Sequence, residues 1–263
     1  MPSFRALIAY KGTHYFGWQD LGADEQKATI QACLHSALKK ICQYQHCVVA
    51  GASRTDAGVH AQGQVAKFTV PMEIGSRKLQ NKMNALLPDD IRIQQCSPCP
   101  PSFNPNRNSL SKEYHYYFST QENINPIFAD IVIPISHSYI KHGAGAIDIK
   151  AMQQACELFI GKHDFFSFAT QDANLKSSIR TVFDCAILKA DFAGFNGDIY
   201  YLKIIGDGFL KHMVRYIAGT LFELGRKNLS EKQISEALEC NRNEKLSPKS
   251  KAKGLHLIKI NYE

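Results

Sequence analysis

The densest run of reactive side chains in this 263-residue sequence lies between positions 51 and 63. Arg54, Thr55, Asp56 and His60 stand there among three glycines, which permit tight turns and close backbone approach. A carboxylate in such a loop can act as a nucleophile or a base. It can also do no more than close an Asx turn in a glycine-rich connection. The concentration of reactive types favours a functional loop, because catalytic residues are often presented on loops.

Residues 53–60 read Ser-Arg-Thr-Asp-Ala-Gly-Val-His and resemble the Gly-Arg-Thr-Asp-Ala-Gly-Val-His signature of the tRNA pseudouridine synthase A family. Further matches follow in the family's order along nearly the whole chain. They cover residues 10–13, 17–19, 112–116, 164–168, 178–181, 209–215 and 254–255. Matches in this order and at this spacing, spread over both halves of the chain, are not expected by chance.

The resemblance implies an isomerase that converts uridines 38, 39 and 40 of the tRNA anticodon stem-loop to pseudouridine. It implies that Asp56 is the nucleophile, that Tyr114 packs on the target base and that Arg215 pairs with Asp56. The reaction cleaves the N1–C1′ bond, turns the uracil and rejoins it through C5, so we expect no cofactor and no metal. Attack on the ribose C1′, attack on the base C6 and removal of a ribose proton all stay open to the carboxylate.

These roles suit the residue types. An arginine within reach keeps an aspartate ionised, and a tyrosine offers a stacking face with a polar handle. Taken alone, Tyr114 would be a core aromatic and Arg215 a charge on a helix surface. Arg215 borders an apolar stripe, however, and an arginine beside a buried face needs a carboxylate partner. The predicted substrate-binding residues are Tyr114, Arg54, Thr55, His60 and Phe168.

The charge balance fits a polyanionic partner. The chain has 31 Lys and Arg against 24 Asp and Glu, a net charge of +7 and a pI of about 8.9. The predicted contacts to the RNA backbone are Arg77, Lys78, Arg107, Lys249 and Lys251. Further candidates near the C-terminus are Arg242, Lys245 and Lys253, and the alternative for each is an ordinary solvated charge.

Two other functions fit single features of the sequence. A non-catalytic RNA-binding module could use a related sheet fold, but the complete set of Asp56, Tyr114 and Arg215 argues against it. A zinc or thiol enzyme could use Cys96 and Cys99, although no second pair of metal ligands is spaced to complete a site. The sequence contains no signal-peptide core and no apolar run long enough to span a membrane. We therefore expect a cytoplasmic protein with reduced thiols, and the resemblance implies a homodimer that binds tRNA.

The elements that must position these residues form a repeated pattern. In the first half, short apolar or alternating segments at 4–10, 47–51, 64–70 and 91–95 predict strands. Apolar spacings predict a helix from Ile30 to Ile41, capped by Thr29, and another that starts at Ser76, a cap candidate, and stops before Pro88. The first half thus has the order β-α-β-β-α-β.

The second half repeats that order. Strands are predicted at 112–119, 182–192, 198–205 and 256–262, with the Asn196-Gly197 dipeptide as a hairpin turn. Helices are predicted around 152–160 with Asp148 as cap, and from 209 to 224. A short third helix opens with the capping box Ser230-x-x-Gln233.

This order is the split βαβ, ferredoxin-like arrangement. It predicts an α+β protein with two ferredoxin-like (β-α-β-β-α-β) halves, antiparallel sheets with helices on one face and a central cleft. The predicted domains are residues 1–103, with the nucleophile loop, and residues 104–263, with the stacking Tyr114 and the helix of Arg215. The sequence departs from the family pattern at Lys11, Ser53, residues 104–106, His115 and residues 248–251, and none of these departures removes a predicted catalytic group.

Overall fold

The protein divides into two compact units. A computed structural model describes residues 1–20, 22, 28–135, 147–171, 175–192, 198–239 and 245–262. Unit 1 consists of Met1–Leu110 and His256–Glu263, and unit 2 of Ser111–Leu255. The units differ from the predicted division at 103/104 in two ways: the boundary lies at 110/111, and the last segment of the chain belongs to unit 1. The periodicity of a strand shows which residues share a face but not which strand it pairs with. The sequence therefore did not predict that the last strand joins the sheet of unit 1.

Unit 1 contains the predicted β-α-β-β-α-β order. Its strands are β1 (Ser3–Tyr10), β2 (Val48–Gly51), β3 (His60–Thr69) and β4 (Ile91–Pro98). β1 lies between β3 and β4 and is antiparallel to both, and β2 is antiparallel to β3. The strand β3 therefore separates β1 from β2, which is the split βαβ arrangement. The α+β class is confirmed.

β3 is long enough to hold two partners along one edge. Its second half pairs with β2 from Ala66 to Thr69. Its first residues pair in parallel with β10 (Leu255–Asn261), through His60 with His256 and Ala61 with Leu257. The last strand of the chain thus begins beside the start of β3, where the 53–60 loop enters the sheet.

Two helices cover one face of this sheet. They are α1 (Ile30–Ile41) and α2 (Ser76–Leu86). Thr29 caps α1 as predicted, since its side chain accepts a hydrogen bond from the Ala32 N–H. Ser76 does not cap α2, because the cap is Gly75 and Ser76 is the first helical residue. The apolar residues of the helices and alternate residues of the strands form the core, and they include Phe4, Ala6, Ile8, Leu34, Leu38, Phe68, Leu79 and Met83.

Unit 2 contains an antiparallel sheet in which four strands follow one another. They are β5 (Ser111–Ser119), β9 (Ile199–Gly206), β8 (Ile179–Lys189) and β7 (Gly161–Asp164). The two-residue β6 (Ile133–Pro134) pairs in parallel with β5. The Asn196-Gly197 turn lies outside the described residues. Neither β6 nor β7 was predicted, because segments this short show no alternation of apolar residues.

The helices of unit 2 are α3 (Ile149–Ala155), α4 (Met213–Gly225) and α5 (Glu231–Glu239). Asp148 caps α3 as predicted, and the capping box of Ser230 and Gln233 is present before α5. A 3₁₀ turn from Cys156 to Phe159 completes the predicted helix of residues 152–160. α4 is almost entirely buried and begins after His212, whose φ is +65°. In the described part of the chain, no helix has both the length and the apolar character that a bilayer crossing needs.

Candidate active site

The loop of residues 53–60 connects β2 to β3, and its side chains alternate in exposure. Thr55 is buried, Asp56 is half-exposed, and Arg54 and Ala57 are exposed. The backbone N–H of Ala52 donates to the Val65 carbonyl, so the sheet ladder continues to the start of the loop. Asp56 is thus a half-exposed residue on a loop whose start is held by the sheet.

Three hydrogen bonds connect residues 10–18 to this loop and hold it in place. The Tyr10 hydroxyl shares a hydrogen bond of 2.8 Å with the Thr55 hydroxyl. The Trp18 N–H donates to the Thr55 carbonyl at 3.0 Å, and the Gly58 N–H donates to the Tyr15 carbonyl at 3.2 Å. The segments 10–13 and 17–19, which the sequence linked to the family only by resemblance, therefore act as the support of the loop.

Two glycines allow this close approach. Gly17 has a φ of +93°, and a Cβ there would lie 2.6 Å from the Thr55 carbonyl oxygen. A Cβ at Gly51 would lie 2.3 Å from the buried indole ring of Trp18. Any larger residue at these positions would push the loop or the indole away.

Gln64 forms a two-point clamp on the other side of the loop. Its Nε2 donates to the Ser53 carbonyl at 2.7 Å, and its Oε1 accepts from the Ser53 N–H at 3.2 Å. The Gln64 side chain has no exposed surface. Its side-chain amide therefore makes the two backbone hydrogen bonds that a neighbouring strand would make with Ser53. The sequence analysis missed this residue, and the signal available in the sequence was a polar residue within the predicted strand 64–70.

His60 ends the loop and is buried. Its Nδ1 accepts from the Gly12 N–H at 3.2 Å, so a neutral His60 carries its proton on Nε2. Its ring stacks on that of His256 with centroids 4.6 Å apart. A Cβ at Gly12 would lie 2.0 Å from the Val59 carbonyl oxygen, so glycine is required there. These contacts join the first strand, the loop and the last strand of unit 1.

In unit 2, Tyr114 lies in β5 and is 6% exposed. Its ring meets the edge of the Phe209 ring at 5.2 Å. Phe209 precedes α4, so the tyrosine is oriented by the loop that leads into the helix of Arg215. The geometry fixes the ring plane of Tyr114 by an aromatic contact of the T-shaped type.

Arg215 lies in the first turn of α4 and is 9% exposed. Its Nε donates to the Ser250 carbonyl at 2.8 Å, and the Ser250 N–H donates to the Arg215 carbonyl at 3.2 Å. The Tyr116 hydroxyl donates to the next carbonyl, that of Lys251. A Cβ at Gly219 would lie 2.3 Å from the Pro248 carbonyl oxygen, so this glycine lets the segment cross the helix closely. Residues 248–251, a departure from the family pattern, thus fix the direction of Arg215.

Phe168 lies in a 3₁₀ turn and is fully buried, with the rings of Phe159 and Phe165 beside it. Lys245 stabilises the same turn, because its ammonium donates to the carbonyls of Phe166 and Ala169. Burial lowers the pKa of Lys245. The role of Phe168 in substrate binding stays a prediction, and its contacts here are those of a core residue.

Lys112 is a buried cation that the sequence analysis did not select. It lies two residues before Tyr114 on the same face of β5 and is 9% exposed. Burial lowers its pKa from 10.5 to about 8. It pairs across the sheet with Gly206. A Cβ at Gly206 would lie 3.2 Å from the ring of Phe209, the ring that also contacts Tyr114.

The predicted RNA-backbone residues Arg77, Lys78, Arg107, Lys249 and Lys251 are all exposed. Two further candidates are used inside unit 2. Lys245 bonds the 3₁₀ turn as described, and the Lys253 ammonium donates to the Ala129 carbonyl. Arg242 lies outside the described residues.

The thiols of Cys96 and Cys99 are in a state that disfavours ionisation. Burial raises the pKa of Cys96 to about 11 and also raises that of Cys99. Because the thiolate is the nucleophile and the metal ligand, a thiol enzyme is disfavoured. Within the described residues, no three His, Cys, Asp or Glu side chains are grouped as metal ligands.

Comparison with known proteins places the chain in a class. Residues 6–106 and 155–263 match a family model described as tRNA pseudouridine synthase. A protein of Desulfotalea psychrophila named tRNA pseudouridine synthase A 2 is 47% identical over 263 residues, which cover 99% of this chain and 98% of the relative. The tRNA pseudouridine synthase A of Thermodesulfovibrio yellowstonii is 34% identical and both chains are covered completely.

A solved structure of a Cbf5-Nop10-Gar1 complex aligns over 96% of this chain and 57% of its own, at 11% identity. Its TM-score of 0.33 is too low to bear on the fold or the function of this chain. The sequence matches decide the class, which is that of pseudouridine synthases. The chain belongs to the tRNA pseudouridine synthase family, whose members named here are isomerases.

Proposed function

We propose that this protein isomerises uridines 38, 39 and 40 of the tRNA anticodon stem-loop to pseudouridine, with Asp56 as nucleophile and without a cofactor. The motif match around Asp56 and the full-length relatives support this function. The observation that carries the choice of Asp56 is its place on a pinned loop. Its neighbour Thr55 is buried and bound through side chain and backbone, and Asp56 itself is half-exposed.

A pinned carboxylate suits the first step of the reaction. The N1–C1′ bond breaks, the uracil turns, the C5–C1′ bond forms, and C5 loses its proton while N1 gains one. Atoms and electrons balance within the nucleotide, so the protein has to hold, turn and move protons. A fixed attacking group reduces the entropy cost of reaching the ribose or the base. The three routes open to the carboxylate share this requirement.

In this proposal Tyr114 and Arg215 retain the roles that the resemblance implied. Tyr114 offers its ring and hydroxyl to the base. Arg215 supplies a positive charge whose direction is set by the Ser250 carbonyl. Both are held by contacts of their own unit, which is the preorganisation that electrostatic catalysis requires.

The remaining predicted binding residues divide by their surroundings. Arg54 is exposed beside the nucleophile and suits a contact with a substrate phosphate. Thr55 and His60 are buried and bonded to Tyr10 and Gly12, so they act on substrate through the position of the loop. Phe168 acts through the shape of its 3₁₀ turn.

The exposed Arg77, Lys78, Arg107, Lys249 and Lys251 are proposed as contacts to the RNA backbone. Such contacts give affinity and register without reading sequence. The protein is further proposed to work as a cytoplasmic homodimer, the state that the family resemblance implies. Light scattering at enzyme concentrations down to the assay range tests the homodimer, and a monomer at all of them would contradict it.

Asp56→Asn provides the test of the function. Treatment of unmodified tRNA with the wild-type protein, followed by mass-resolved mapping of pseudouridine, should give product at positions 38 to 40. Asp56→Asn should lower turnover by roughly 10⁴-fold or more, as for a deleted nucleophile. It should still bind tRNA, because phosphate contacts supply most of the affinity.

The exposed neighbour Arg54 gives a matched control, since Arg54→Gln changes one charge on the same loop but keeps the carboxylate. It should weaken binding and leave measurable turnover at saturating tRNA. A fully active Asp56→Asn preparation would refute the nucleophile. Tight tRNA binding by the wild type without any pseudouridine would instead favour a non-catalytic RNA-binding protein.

A further inference from the structure

Two basic side chains lie directly opposite each other on the face of the unit 1 sheet that the helices do not cover. Arg5 of β1 pairs across the ladder with Lys67 of β3. Arg5 follows Phe4 and precedes Ala6, which are both buried in the core, so its side chain lies on the other face. Arg5 is exposed and Lys67 is half-buried. Like charges directly opposite on a sheet are destabilising. The presence of two cations at these positions therefore requires an explanation.

In the described part of the chain, these two cations do not face a carboxylate. Among the residues that the structure describes, neither Arg5 nor Lys67 has an ion-pair partner. The Lys67 ammonium donates to the neutral carbonyl of Pro101. Burial raises the pKa of Cys99, and the charges of Lys67 and Arg5 act to lower it, so both cations converge on this edge of the sheet.

Aromatic rings support the arginine. Its guanidinium carbon lies 4.5 Å from the centroid of the Tyr262 ring and 5.9 Å from that of Phe103. The Tyr262 hydroxyl donates to the Pro105 carbonyl at 2.7 Å, which fixes its ring. A guanidinium held over a ring keeps its N–H edges for an external acceptor, and it loses less entropy when that acceptor binds.

Arg107 adds a third cation nearby. It is exposed in the turn of residues 104–108. This turn lies next to Tyr262, which contacts both Phe103 and Pro105. The Asn104 side chain accepts from the N–H groups of Asn106 and Arg107, so the turn is rigid. The backbone at Arg107 is therefore held in a fixed position beside the aromatic rings that support Arg5.

We propose that Arg5 and Lys67, with the ring of Tyr262 as support, form a binding site for the phosphate backbone of RNA. Planar bidentate donors from arginine and a compact ammonium are the groups that recognise phosphate. An RNA strand supplies the missing negative charge, and the like-charge pair becomes favourable when it is occupied. The inference rests on the proposed function for the identity of the RNA as tRNA.

The position of this site in the sheet specifies which part of the RNA it binds. Lys67 lies seven residues after His60 along β3, which corresponds to roughly 23 Å at the rise of a strand. His60 ends the nucleophile loop. The phosphate therefore lies away from the target uridine, and the proposal places it in the body of the tRNA, beyond the anticodon stem and loop.

Binding of full-length tRNA at several salt concentrations tests the site in the double variant Arg5→Gln with Lys67→Gln. Each lost phosphate contact should reduce the slope of log affinity against log salt by about 0.7–0.9, so the double variant should lose between about 1 and 2. The KM for tRNA should rise roughly tenfold with kcat unchanged. Arg5→Lys keeps the charge and should recover part of the affinity.

Lys39→Gln is the matched control, because Lys39 is an exposed lysine in the last turn of α1, in the helix layer. It should leave the salt slope and KM as in wild type. Thermal unfolding of each variant verifies the fold. A salt slope and KM unchanged in the double variant, with full pseudouridine formation by the wild type, would overturn this site alone.

A hairpin that contains only the anticodon stem and loop tests the distance. The double variant should bind this hairpin nearly as well as wild type does, since the hairpin lacks the remote phosphate. An equal loss of affinity on hairpin and full-length tRNA would overturn the proposal. A reduced salt slope in the double variant, together with no pseudouridine formation by wild type, would support this site and refute the proposed function.

Discussion

Two neighbouring residues of the 53–60 loop have opposite surroundings. Thr55 is bound by the Tyr10 hydroxyl and by the Trp18 N–H, so both its side chain and its backbone are used inside the protein. Asp56 is half-exposed. In the proposed function, Thr55 fixes the position of the loop and Asp56 reacts with the substrate. A change at Thr55 would then alter the position of the carboxylate rather than its chemistry.

Tyr114 provides the sharpest test of how the base is handled. A paired uridine must leave its stack at a cost of a few kcal/mol, and a ring that stacks on the extruded base returns about 1–3 kcal/mol. The hydroxyl can instead move a proton. Tyr114→Phe separates the two roles, because it keeps the ring and its contact with Phe209. We expect single-turnover rates to fall by roughly 10²–10⁴, the usual size of general acid–base catalysis.

The reason for this expectation is the last chemical step, in which C5 must lose a proton after the new bond has formed. A loss of less than about tenfold in Tyr114→Phe would assign stacking as the whole role. Substrate containing 5-fluorouridine provides the control, since fluorine blocks that proton loss in wild type and variant alike. Wild-type activity in Tyr114→Ala would remove this residue from the site.

At the residue scale, the sequence could predict chemical types but not their surroundings. Asp56, Tyr114 and Arg215 were selected by type and by resemblance. The clamp by Gln64 and the contact of Arg215 with Ser250 depend on atoms far apart in the sequence. Burial of a polar residue becomes visible only when its neighbours in space are known.

At the scale of elements, the support of the nucleophile loop depends on Gly17. Gly17→Ala would place a Cβ 2.6 Å from the Thr55 carbonyl oxygen. A misplacement of about 1 Å at a reacting group can cost roughly 10²-fold in rate. We therefore expect kcat to fall by about that factor, because the loop must move to make room. Steady-state kinetics with full-length tRNA measure the effect.

Gly22→Ala is the matched control. Gly22 also has a positive φ, of +78°, but a Cβ there would meet no atom of the described residues within 4 Å. Both variants should lose about 1–2 kcal/mol of stability from backbone strain. Only Gly17→Ala should lose activity beyond that. Equal activity in the two variants would mean that the approach of residue 17 to the loop does not position Asp56.

The elements themselves were largely predictable in unit 1. Apolar periodicity predicted the order and type of its six helices and strands before β10. The helix caps Thr29 in unit 1, and Asp148 and Ser230 in unit 2, were predicted from side-chain chemistry. The misplaced cap at Ser76 shows the limit, since two adjacent small residues can both begin a helix. The parallel pairing of β10 with β3 was not predictable, because a strand pattern contains no information on its partner.

For the whole molecule, the net charge of +7 fits a polyanionic partner but does not identify the surface that binds it. Folding uses Lys245 and Lys253 to bond carbonyls and leaves Arg77, Lys78 and Arg107 exposed. Arg5 and Lys67 stood in strand patterns and were not selected by charge clustering. Cross-strand register brought them together, which a linear count of charges cannot show.

The stability of the whole chain should depend on pH through Lys112. Burial lowers the pKa of Lys112 from 10.5 to about 8, so between these values the unfolded chain binds a proton that the folded chain does not. The free energy of unfolding therefore rises with pH in this window. The stability present above pH 10.5 is lost as the pH falls through about 8, and the difference corresponds to about 3 kcal/mol.

Lys112→Met removes this titration and keeps much of the side-chain volume. Urea unfolding at several pH values between 7.5 and 10.5 should show wild type gaining stability relative to Lys112→Met as the pH rises. The difference between the two proteins cancels the titration of the cysteines and tyrosines that they share. Lys150→Met, a change at an exposed lysine of α3, should show no such relative gain. A constant difference between wild type and Lys112→Met across this range would mean that Lys112 keeps an ordinary pKa in the folded protein and that its burial costs nothing.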